Sequence, residues 1–187
     1  MNFVSYTQLH KDIFAWEKTL PDFDAVCGVP RSGLIPAAYI ALKRNIRLVE
    51  LGQLLANPEV AINEAYIRGN NPLVRHNIPF GNKLLIVDDS SSANSVTFTE
   101  LKRQLQNTQL QISYGAVYRA SQLSKVDFFY KEIQQPRLFE WNMWRNRKIE
   151  NVFCDMDGVL CEDWTGPPDT KKDRKSTRLK SQSRQYL

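Results

Sequence analysis

Apolar and polar positions along the chain follow two patterns, a spacing typical of helices and short apolar runs typical of buried strands. Helical spacing of apolar residues predicts helices over Ser5–Leu20, Leu34–Arg44 and Ser95–Gln106. Short apolar runs predict buried strands at Asp24–Gly28 and Lys83–Asp89. We also predict strands at Ile46–Leu51, Leu110–Tyr118 and Val126–Ile133. Because the two kinds of segment alternate, we expect an α/β fold with a mainly parallel twisted sheet flanked by helices.

The segment Gln53–Gly81 follows neither pattern. It contains clusters of Gly, Pro and Asn, which are typical of loops. We therefore predict a long, mobile excursion between the second and third strands.

Composition indicates an ordinary globular protein with an unusual C-terminal end. Hydrophobic residues make up 42% of the chain and charged residues 24%, which is enough apolar material for a core. The net charge of +5 arises from residues 169–187, which hold seven Lys or Arg and two Asp. Since the rest of the chain is neutral, we expect no nucleic-acid partner. We predict that residues 169–187 are a disordered, non-native tail.

The sequence does not indicate a membrane protein or an exported, disulfide-bonded one. No run approaches the roughly 20 consecutive apolar residues that span a bilayer, and the N-terminus lacks a signal-peptide pattern. The three cysteines, Cys27, Cys154 and Cys161, show no zinc-binding spacing. We expect a cytoplasmic protein with no membrane partner.

The loop after the clearest predicted strand carries the strongest candidate chemistry. Asp88 and Asp89 end that strand, and the residues that follow are Ser90, Ser91, Ser92, Ala93, Asn94 and Ser95. Ligands of parallel sheets bind beyond the carboxyl ends of the strands. Carboxylates there suit ribose hydroxyls, and amides beside a helix N-terminus suit a phosphate. The loop therefore predicts a sugar-phosphate site, with an acidic strand end followed by serine helix caps as the alternative.

An earlier loop, Gly28–Gly33, also lies between a predicted strand and a predicted helix. Its glycines permit close backbone approach, and Arg31 can neutralise phosphate oxygens. A solvated arginine in a turn is the alternative.

The segment Ile86–Thr97 resembles the phosphoribosyl-pyrophosphate loop of type I phosphoribosyltransferases, in which an apolar run and an acidic pair precede a short loop. Ala93 and Asn94 stand where that family usually has Thr and Gly, and Val96 stands near a later Thr. The resemblance implies that Asp88 and Asp89 are catalytic and that residues 90–95 bind the substrate phosphate. It also implies that the leaving pyrophosphate is bound by Pro30, Arg31, Ser32 and Gly33.

This resemblance covers about Phe23–Trp144 and implies a transferase of nucleotide salvage. Ribose 5-phosphate would move from phosphoribosyl pyrophosphate to a nucleobase, and pyrophosphate would leave. Mg²⁺ on the pyrophosphate and ribose hydroxyls would stabilise the leaving group, with Asp88 and Asp89 in indirect contact. The segment Gln53–Gly81 would be the flexible loop that closes over the substrate. A homodimer is compatible with the resemblance.

The segment Ser124–Trp141 is similar to the C-terminal part of purine phosphoribosyltransferases. Lys125 matches the residue that contacts the exocyclic oxygen of a 6-oxopurine there. The residue that stacks on the base matches Leu138 or Phe139. Trp141 is a further candidate, either for stacking or for a domain interface. A surface lysine beside an aromatic edge of the core is the alternative.

A second motif, Val152–Leu160, resembles the first motif of haloacid-dehalogenase-type phosphatases. In that family Asp155 would be the nucleophile and Asp157 the general acid and base. The residues that complete such a site are not found after Gly158, so we expect an incomplete domain without phosphatase activity. The predicted organisation is a phosphoribosyltransferase-like domain at 1–148, the start of the phosphatase-like domain at 149–168, and the tail at 169–187.

Three functions remain open on the sequence alone. The leading one is a Mg²⁺-dependent phosphoribosyltransferase acting on a nucleobase, with a purine favoured. A non-catalytic module that senses nucleotides is the second, and Asn94 and Val96 favour it. A fragment of a phosphatase is the third.

Overall fold

A five-stranded parallel sheet forms the centre of the protein. The computed structural model describes residues 1–63, 81–93 and 96–145. Its strands are β1 (Asn2–Val4), β2 (Ala25–Gly28), β3 (Arg47–Val49), β4 (Lys83–Ser91), β5 (Gln111–Arg119), β6 (Phe128–Glu132) and β7 (Arg137–Phe139). The central sheet has the order β3-β2-β4-β5-β6, and all its strand pairs are parallel, which confirms the predicted α/β fold.

Helices cover both faces of this sheet. They are α1 (Tyr6–Glu17), α2 (Leu34–Arg44), α3 (Leu51–Ala56), α4 (Pro58–Asn63), α5 (Val96–Gln104) and a final 3₁₀ helix (Glu140–Arg145). On β4, Leu85 and Val87 belong to a buried cluster with α1 and α2, whereas Leu84 and Ile86 belong to one with α3, α4 and α5. Successive side chains of a strand point to opposite faces, so the unbroken apolar run of β4 is buried between two helical layers.

Local signals in the sequence set the ends of two helices. The Ser5 hydroxyl accepts the backbone N–H of Gln8 at 3.2 Å and so caps the start of α1. Asn45 ends α2 with a φ of 53°, in the left-handed region that Asn tolerates better than most residues, and its N–H donates to the Ala41 carbonyl.

The structure contains elements that the sequence patterns did not predict. Strands β1 and β7 form a separate two-stranded parallel sheet, with Phe3 opposite Leu138. The described start of the predicted excursion is helical, because Leu54 and Ile62 are buried in the core and hold α3 and α4 against it. The rest of that segment, residues 64–80, lies outside the described residues. Strand β4 also continues two residues beyond its predicted end, to Ser91.

Met1–Arg145 form one compact unit. The predicted boundary at residue 148 and the segments 149–168 and 169–187 lie outside the described residues, as do Asp155 and Asp157. None of the helices in the described part of the chain combines the length and apolar character needed to cross a bilayer.

Candidate active site

The acidic pair lies on the central strand of the sheet. Asp88 and Asp89 occupy the last part of β4, between β2 and β5. The loop after β2 contacts them closely, because the Val29 N–H donates to the Val87 carbonyl and the Ser32 hydroxyl donates to Asp89 Oδ1, both at 2.9 Å. The pair therefore lies on a central parallel strand beside this loop.

Two glycines allow the loop to approach β4 so closely. A Cβ on Gly33 would lie 2.5 Å from the Val29 carbonyl oxygen and 2.6 Å from that of Val87. A Cβ on Gly28 would lie 2.6 Å from the Gly33 carbonyl oxygen. No side chain fits at these distances, so Ser32 reaches Asp89 only because both positions are glycine.

Asp89 is buried, with 3% of its surface exposed, and each of its carboxylate oxygens accepts a hydrogen bond. Oδ1 accepts the Ser32 hydroxyl, and Oδ2 accepts the indole N–H of Trp141 at 2.7 Å. Hydrogen bonds to a carboxylate are stronger than those between neutral groups, so these two donors offset the cost of burying the group.

Asp88 is half-buried and differently placed. Its Oδ1 accepts the backbone N–H of Asp89 at 2.8 Å. Burial raises the pKa of Asp88 to about 8, and the adjacent Asp89 carboxylate adds to the increase. A carboxyl group in this state is stabilised as an anion by any donor or cation that approaches it. Asp88 is therefore the member of the pair that can still respond to a ligand.

Two of the predicted phosphate-binding serines belong to the strand. Ser90 and Ser91 lie in β4. The Ser124 hydroxyl donates to the Ser91 hydroxyl at 2.6 Å in a buried contact, so this pair connects the end of β4 to the segment between β5 and β6. The Ser91 side chain therefore has a structural partner already.

The loop itself is only partly described. Ser92 is half-buried and Ala93 is exposed, while Asn94 and Ser95 lie outside the described residues. Val96 begins α5 with 76% of its surface exposed. Ala93 and Val96 therefore both lack the hydroxyl that is usual at or near these positions in the phosphoribosyl-pyrophosphate loop that this segment resembles.

The loop predicted to bind pyrophosphate presents its basic residue to solvent. Pro30 and Arg31 are exposed, and the peptide bond between them is cis. Ser32 is half-buried through its contact with Asp89, and Gly33 is buried against β4. Arg31 is therefore accessible to an anion, whereas Ser32 and Gly33 connect the loop to the acidic pair.

The residues predicted to bind the base are placed unequally. The Lys125 side chain is exposed, and its carbonyl accepts a hydrogen bond from Lys102 Nζ at 3.3 Å. The Phe139 ring is buried and stacks on Trp141 with ring centroids 4.9 Å apart. Leu138 is half-buried on the opposite face of β7. Of Leu138 and Phe139, Leu138 is the more accessible.

Two arginines that the sequence analysis did not select lie beside the acidic strand. Arg119 ends β5 opposite Ser91 and forms an ion pair with Glu132 at 3.2 Å. Arg137 donates to the Ser91 carbonyl at 3.4 Å. Burial lowers the pKa of Arg137, and the charge of Asp89 opposes that decrease. Arg119 could have been selected from the sequence, because it is a basic residue directly after the predicted strand Leu110–Tyr118. Arg137 stands in no comparable pattern.

The carboxylates of the acidic pair suit a cation that arrives bound to a substrate. Among the residues that the structure describes, no group of three or more His, Cys, Asp or Glu side chains could hold a metal ion. Protein-bound Mg²⁺ usually keeps several waters and is held by one or two carboxylates together with substrate phosphates. Among the described residues Asp88 accepts the backbone N–H of Asp89, and its other lone pairs leave it able to fit such a shared role.

Comparison with known proteins supports the fold. No protein-family model matches the chain. A segment of 49 residues, 25% of this chain, is 47% identical to a xanthine-guanine phosphoribosyltransferase of Chromohalobacter salexigens and spans 30% of that protein's length.

Solved structures cover more of the chain at lower identity. A purine phosphoribosyltransferase from Pyrococcus horikoshii superposes with a TM-score of 0.50 and 21% identity, over 75% of this chain and 94% of its own. A xanthine-guanine-hypoxanthine phosphoribosyltransferase from Helicobacter pylori gives a TM-score of 0.51 and 18% identity, over 75% and 92%. The chain therefore has the α/β fold of the type I phosphoribosyltransferases, with its acidic pair on the central strand.

Proposed function

We propose that the protein transfers ribose 5-phosphate from phosphoribosyl pyrophosphate to a nucleobase, with a purine favoured, and releases pyrophosphate. The observation that carries this proposal is the contact between Asp89 on the central strand and Ser32 in the loop after β2. This contact brings the acidic pair, a candidate ribose site, next to the candidate pyrophosphate loop at the carboxyl ends of the strands, where parallel sheets bind ligands. The local identity to a xanthine-guanine phosphoribosyltransferase also supports it.

In this proposal the ribose hydroxyls bind at the acidic pair. Asp88 is half-buried and has a raised pKa, so two donating hydroxyls would stabilise its charged form. Asp89 has one donor on each oxygen, and a carboxylate oxygen can accept more than one hydrogen bond. The 5′-phosphate would lie over residues 90–95, beside the start of α5.

The leaving pyrophosphate would lie at Pro30–Gly33. Arg31 is exposed there and can meet phosphate oxygens, and the backbone of the loop is held against β4 by Gly33. When bound with the substrate, Mg²⁺ would neutralise charge on the departing pyrophosphate, with Asp88 and Asp89 as indirect partners.

The proposed reaction exchanges one bond at ribose C1 for another. The bond from C1 to the pyrophosphate oxygen breaks with its electron pair on pyrophosphate, and a nitrogen of the base forms the new bond to C1. The N–H proton of that nitrogen passes to water. Positive charge develops on the sugar as pyrophosphate departs. The carboxylate of Asp88, next to the ribose, would stabilise that charge.

The base would lie beside Lys125 and Leu138, whose side chains are exposed and half-buried, respectively. Lys125 would donate to the exocyclic oxygen of a 6-oxopurine, and Leu138 would cover a face of the ring. Phe139 would support this surface from the core, because its ring already stacks on Trp141.

Pyrophosphate release with a panel of bases tests the proposal. We expect release with Mg²⁺, phosphoribosyl pyrophosphate and hypoxanthine, guanine or xanthine, and less with adenine or orotate. Asp88→Asn should abolish most of it, whereas Asp22→Asn, an exposed carboxylate before β2, should not. No release with any base, at enzyme concentrations near those of the substrate, would contradict the proposed activity.

The composition of the loop favours a second function, which is binding of a nucleotide without turnover. The loop has no hydroxyl at Ala93 or Val96, and both residues are exposed. A Neisseria gonorrhoeae protein solved with bound ppGpp also superposes, with a TM-score of 0.51 and 14% identity over 75% of this chain and 89% of its own. Calorimetric binding of a purine nucleotide, in a protein that releases no pyrophosphate, would select this function over the transferase.

A further inference from the structure

Trp141 contacts the acidic pair from a distant part of the chain. Its indole N–H donates to Asp89 Oδ2 at 2.7 Å, although 52 positions separate the two residues. Trp141 lies in the final 3₁₀ helix, which follows β7, whereas Asp89 lies on β4. A buried carboxylate is thus contacted by a donor from outside the sheet.

The ring of Trp141 is held by an aromatic stack. It lies nearly parallel to Phe139, at 16° with centroids 4.9 Å apart, and Phe139 lies nearly parallel to Tyr118, at 19° and 5.5 Å. The Tyr118 hydroxyl donates to Asp12 Oδ2 on α1 at 2.7 Å in a buried contact. Rotation of the indole would break this packing, so the direction of its N–H is fixed.

The N-terminus of the chain also holds this segment in place. The Tyr6 N–H, at the start of α1, donates to Glu140 Oε2 at 2.6 Å. The Tyr6 ring lies 5.8 Å from that of Trp141. Strand β1 pairs with β7 directly before the 3₁₀ helix, with Val4 opposite Phe139. The position of Trp141 is therefore set by β1 and α1 rather than by the strand that carries Asp89.

We propose that Trp141 is a positioning residue: with Ser32 it fixes the two carboxylate oxygens of Asp89, so that Asp88 becomes the carboxylate that meets the ribose. This inference rests on the proposed function, because it assigns different roles to the two members of the pair. Asp89, with 3% of its surface exposed and a donor on each oxygen, orients the end of β4. Asp88, half-buried beside it, contacts the substrate.

Two substitutions in the same stack separate positioning from packing. Trp141→Phe keeps an aromatic ring but removes the donor to Asp89. Tyr118→Phe also removes one hydrogen bond from the stack, and that bond is directed to Asp12, away from the acidic pair. Each substitution leaves one buried carboxylate, Asp89 or Asp12, with one donor fewer. A difference between the two variants in the KM for phosphoribosyl pyrophosphate therefore reports the contact with Asp89.

We expect Trp141→Phe to change the KM and Kd for phosphoribosyl pyrophosphate but not the KM for the base. In Trp141→Phe the end of β4 loses one of the bonds that hold it, so Asp88 is less well placed to meet the ribose. The KM and Kd for phosphoribosyl pyrophosphate should then rise about tenfold. The KM for the base should not change, and Tyr118→Phe should match the wild type in both. Equal effects of the two substitutions would overturn the inference, and so would a rise in the KM for the base, which would make Trp141 a base-stacking residue.

A spectroscopic measurement tests the contact without any substrate, so its failure is distinct from failure of the proposed function. In ¹⁵N-labelled protein, Trp141→Phe identifies the indole N–H resonance of Trp141. We expect that resonance to be protected from solvent exchange and to shift in Asp89→Asn, because a neutral acceptor forms a weaker bond than a charged one. If the indole N–H exchanges freely with solvent and its chemical shift is the same in Asp89→Asn, the positioning role is overturned, whatever the activity assays show.

Discussion

Asp89 and Lys125 are both charged residues that sequence motifs select, but the structure surrounds them very differently. Asp89 is buried on the central strand and receives donors from the loop after β2 and from the final 3₁₀ helix. The Lys125 side chain is exposed and, within the described part of the chain, makes no hydrogen bond or ion pair.

This difference separates a rigid end of the proposed site from an adaptable one. The acidic pair and Pro30–Gly33 are fixed by close backbone contacts, which suits the sugar-phosphate chemistry that every base would share. The surface around Lys125 can change without disturbing the core. We therefore expect substitutions at the first end to affect folding and the sugar phosphate, and those at the second to affect the choice of base.

The largest effect is expected at Gly33. In Gly33→Ala the new Cβ would meet the Val29 and Val87 carbonyl oxygens at 2.5 and 2.6 Å, so the loop must move away from β4. We expect the free energy of unfolding to fall by about 3 kcal/mol, as in severe overpacking. Urea denaturation followed by circular dichroism measures it.

Gly52→Ala is the matched control for that substitution. The nearest atom to its Cβ would be the flexible Glu50 Oε1 at 3.3 Å, and the position lies in α3. Alanine there should raise stability by about 0.5–1 kcal/mol. If the two variants were equally stable, the loop after β2 could not lie as close to β4 as the structure shows.

The next effect concerns the dependence of stability on pH. The pKa of Asp88 is raised to about 8 in the folded protein, so the folded state binds this proton more tightly than the unfolded state does. The stability that the protonated group contributes is present below the unfolded pKa of about 4 and is lost as pH rises through 8.

Asp88→Asn isolates this contribution, because an amide does not titrate. The variant should gain stability relative to wild type as pH rises from about 4 to 8, when both are measured without substrate. Asp22→Asn, which removes an exposed carboxylate, is the control for the change in net charge. A difference between Asp88→Asn and wild type that does not change with pH would show that Asp88 is not in the environment described.

Lys125 offers a smaller and more selective effect. Since its side chain is exposed, Lys125→Ala should change stability by no more than about 0.5 kcal/mol. We expect the KM for a 6-oxopurine to rise about tenfold through loss of a charged hydrogen bond, with the KM for phosphoribosyl pyrophosphate unchanged. Steady-state assays that vary one substrate at a time measure both, and an unchanged KM for the base would remove Lys125 from the site.

Sequence patterns predicted those parts of the fold that depend on neighbouring residues. The apolar run before Asp88 predicted a strand buried on both faces, and β4 is such a strand. The alternation of strands and helices predicted a parallel sheet, and the sheet is parallel. Strands β1 and β7 were missed because three residues each are too few for a period to show.

The contacts that complete the candidate site were less predictable. Glycines in the loop after β2 indicated close approach, but only the fold shows that the partner is the Val87 carbonyl. Trp141 reaches Asp89 because β7 pairs with β1 at the other end of the chain. A pairing between residues so far apart has no local signature, so its consequence for the carboxylate could not be predicted from the motif.

The smallest effect is expected at Ala93, where the phosphate loop departs from the resembling family. Ala93 is exposed two residues after the end of β4, so Ala93→Thr can add a hydroxyl without disturbing the core. One new hydrogen bond to the 5′-phosphate should lower the Kd for phosphoribosyl pyrophosphate roughly 3- to 10-fold. Ala93→Val has nearly the same shape without the hydroxyl and should leave the Kd unchanged. Calorimetry on both variants separates the hydroxyl from the added bulk. Equal affinities for the Thr and Val variants would mean that residue 93 does not face the phosphate, and the acidic pair would then have to bind the ribose without help from this part of the loop.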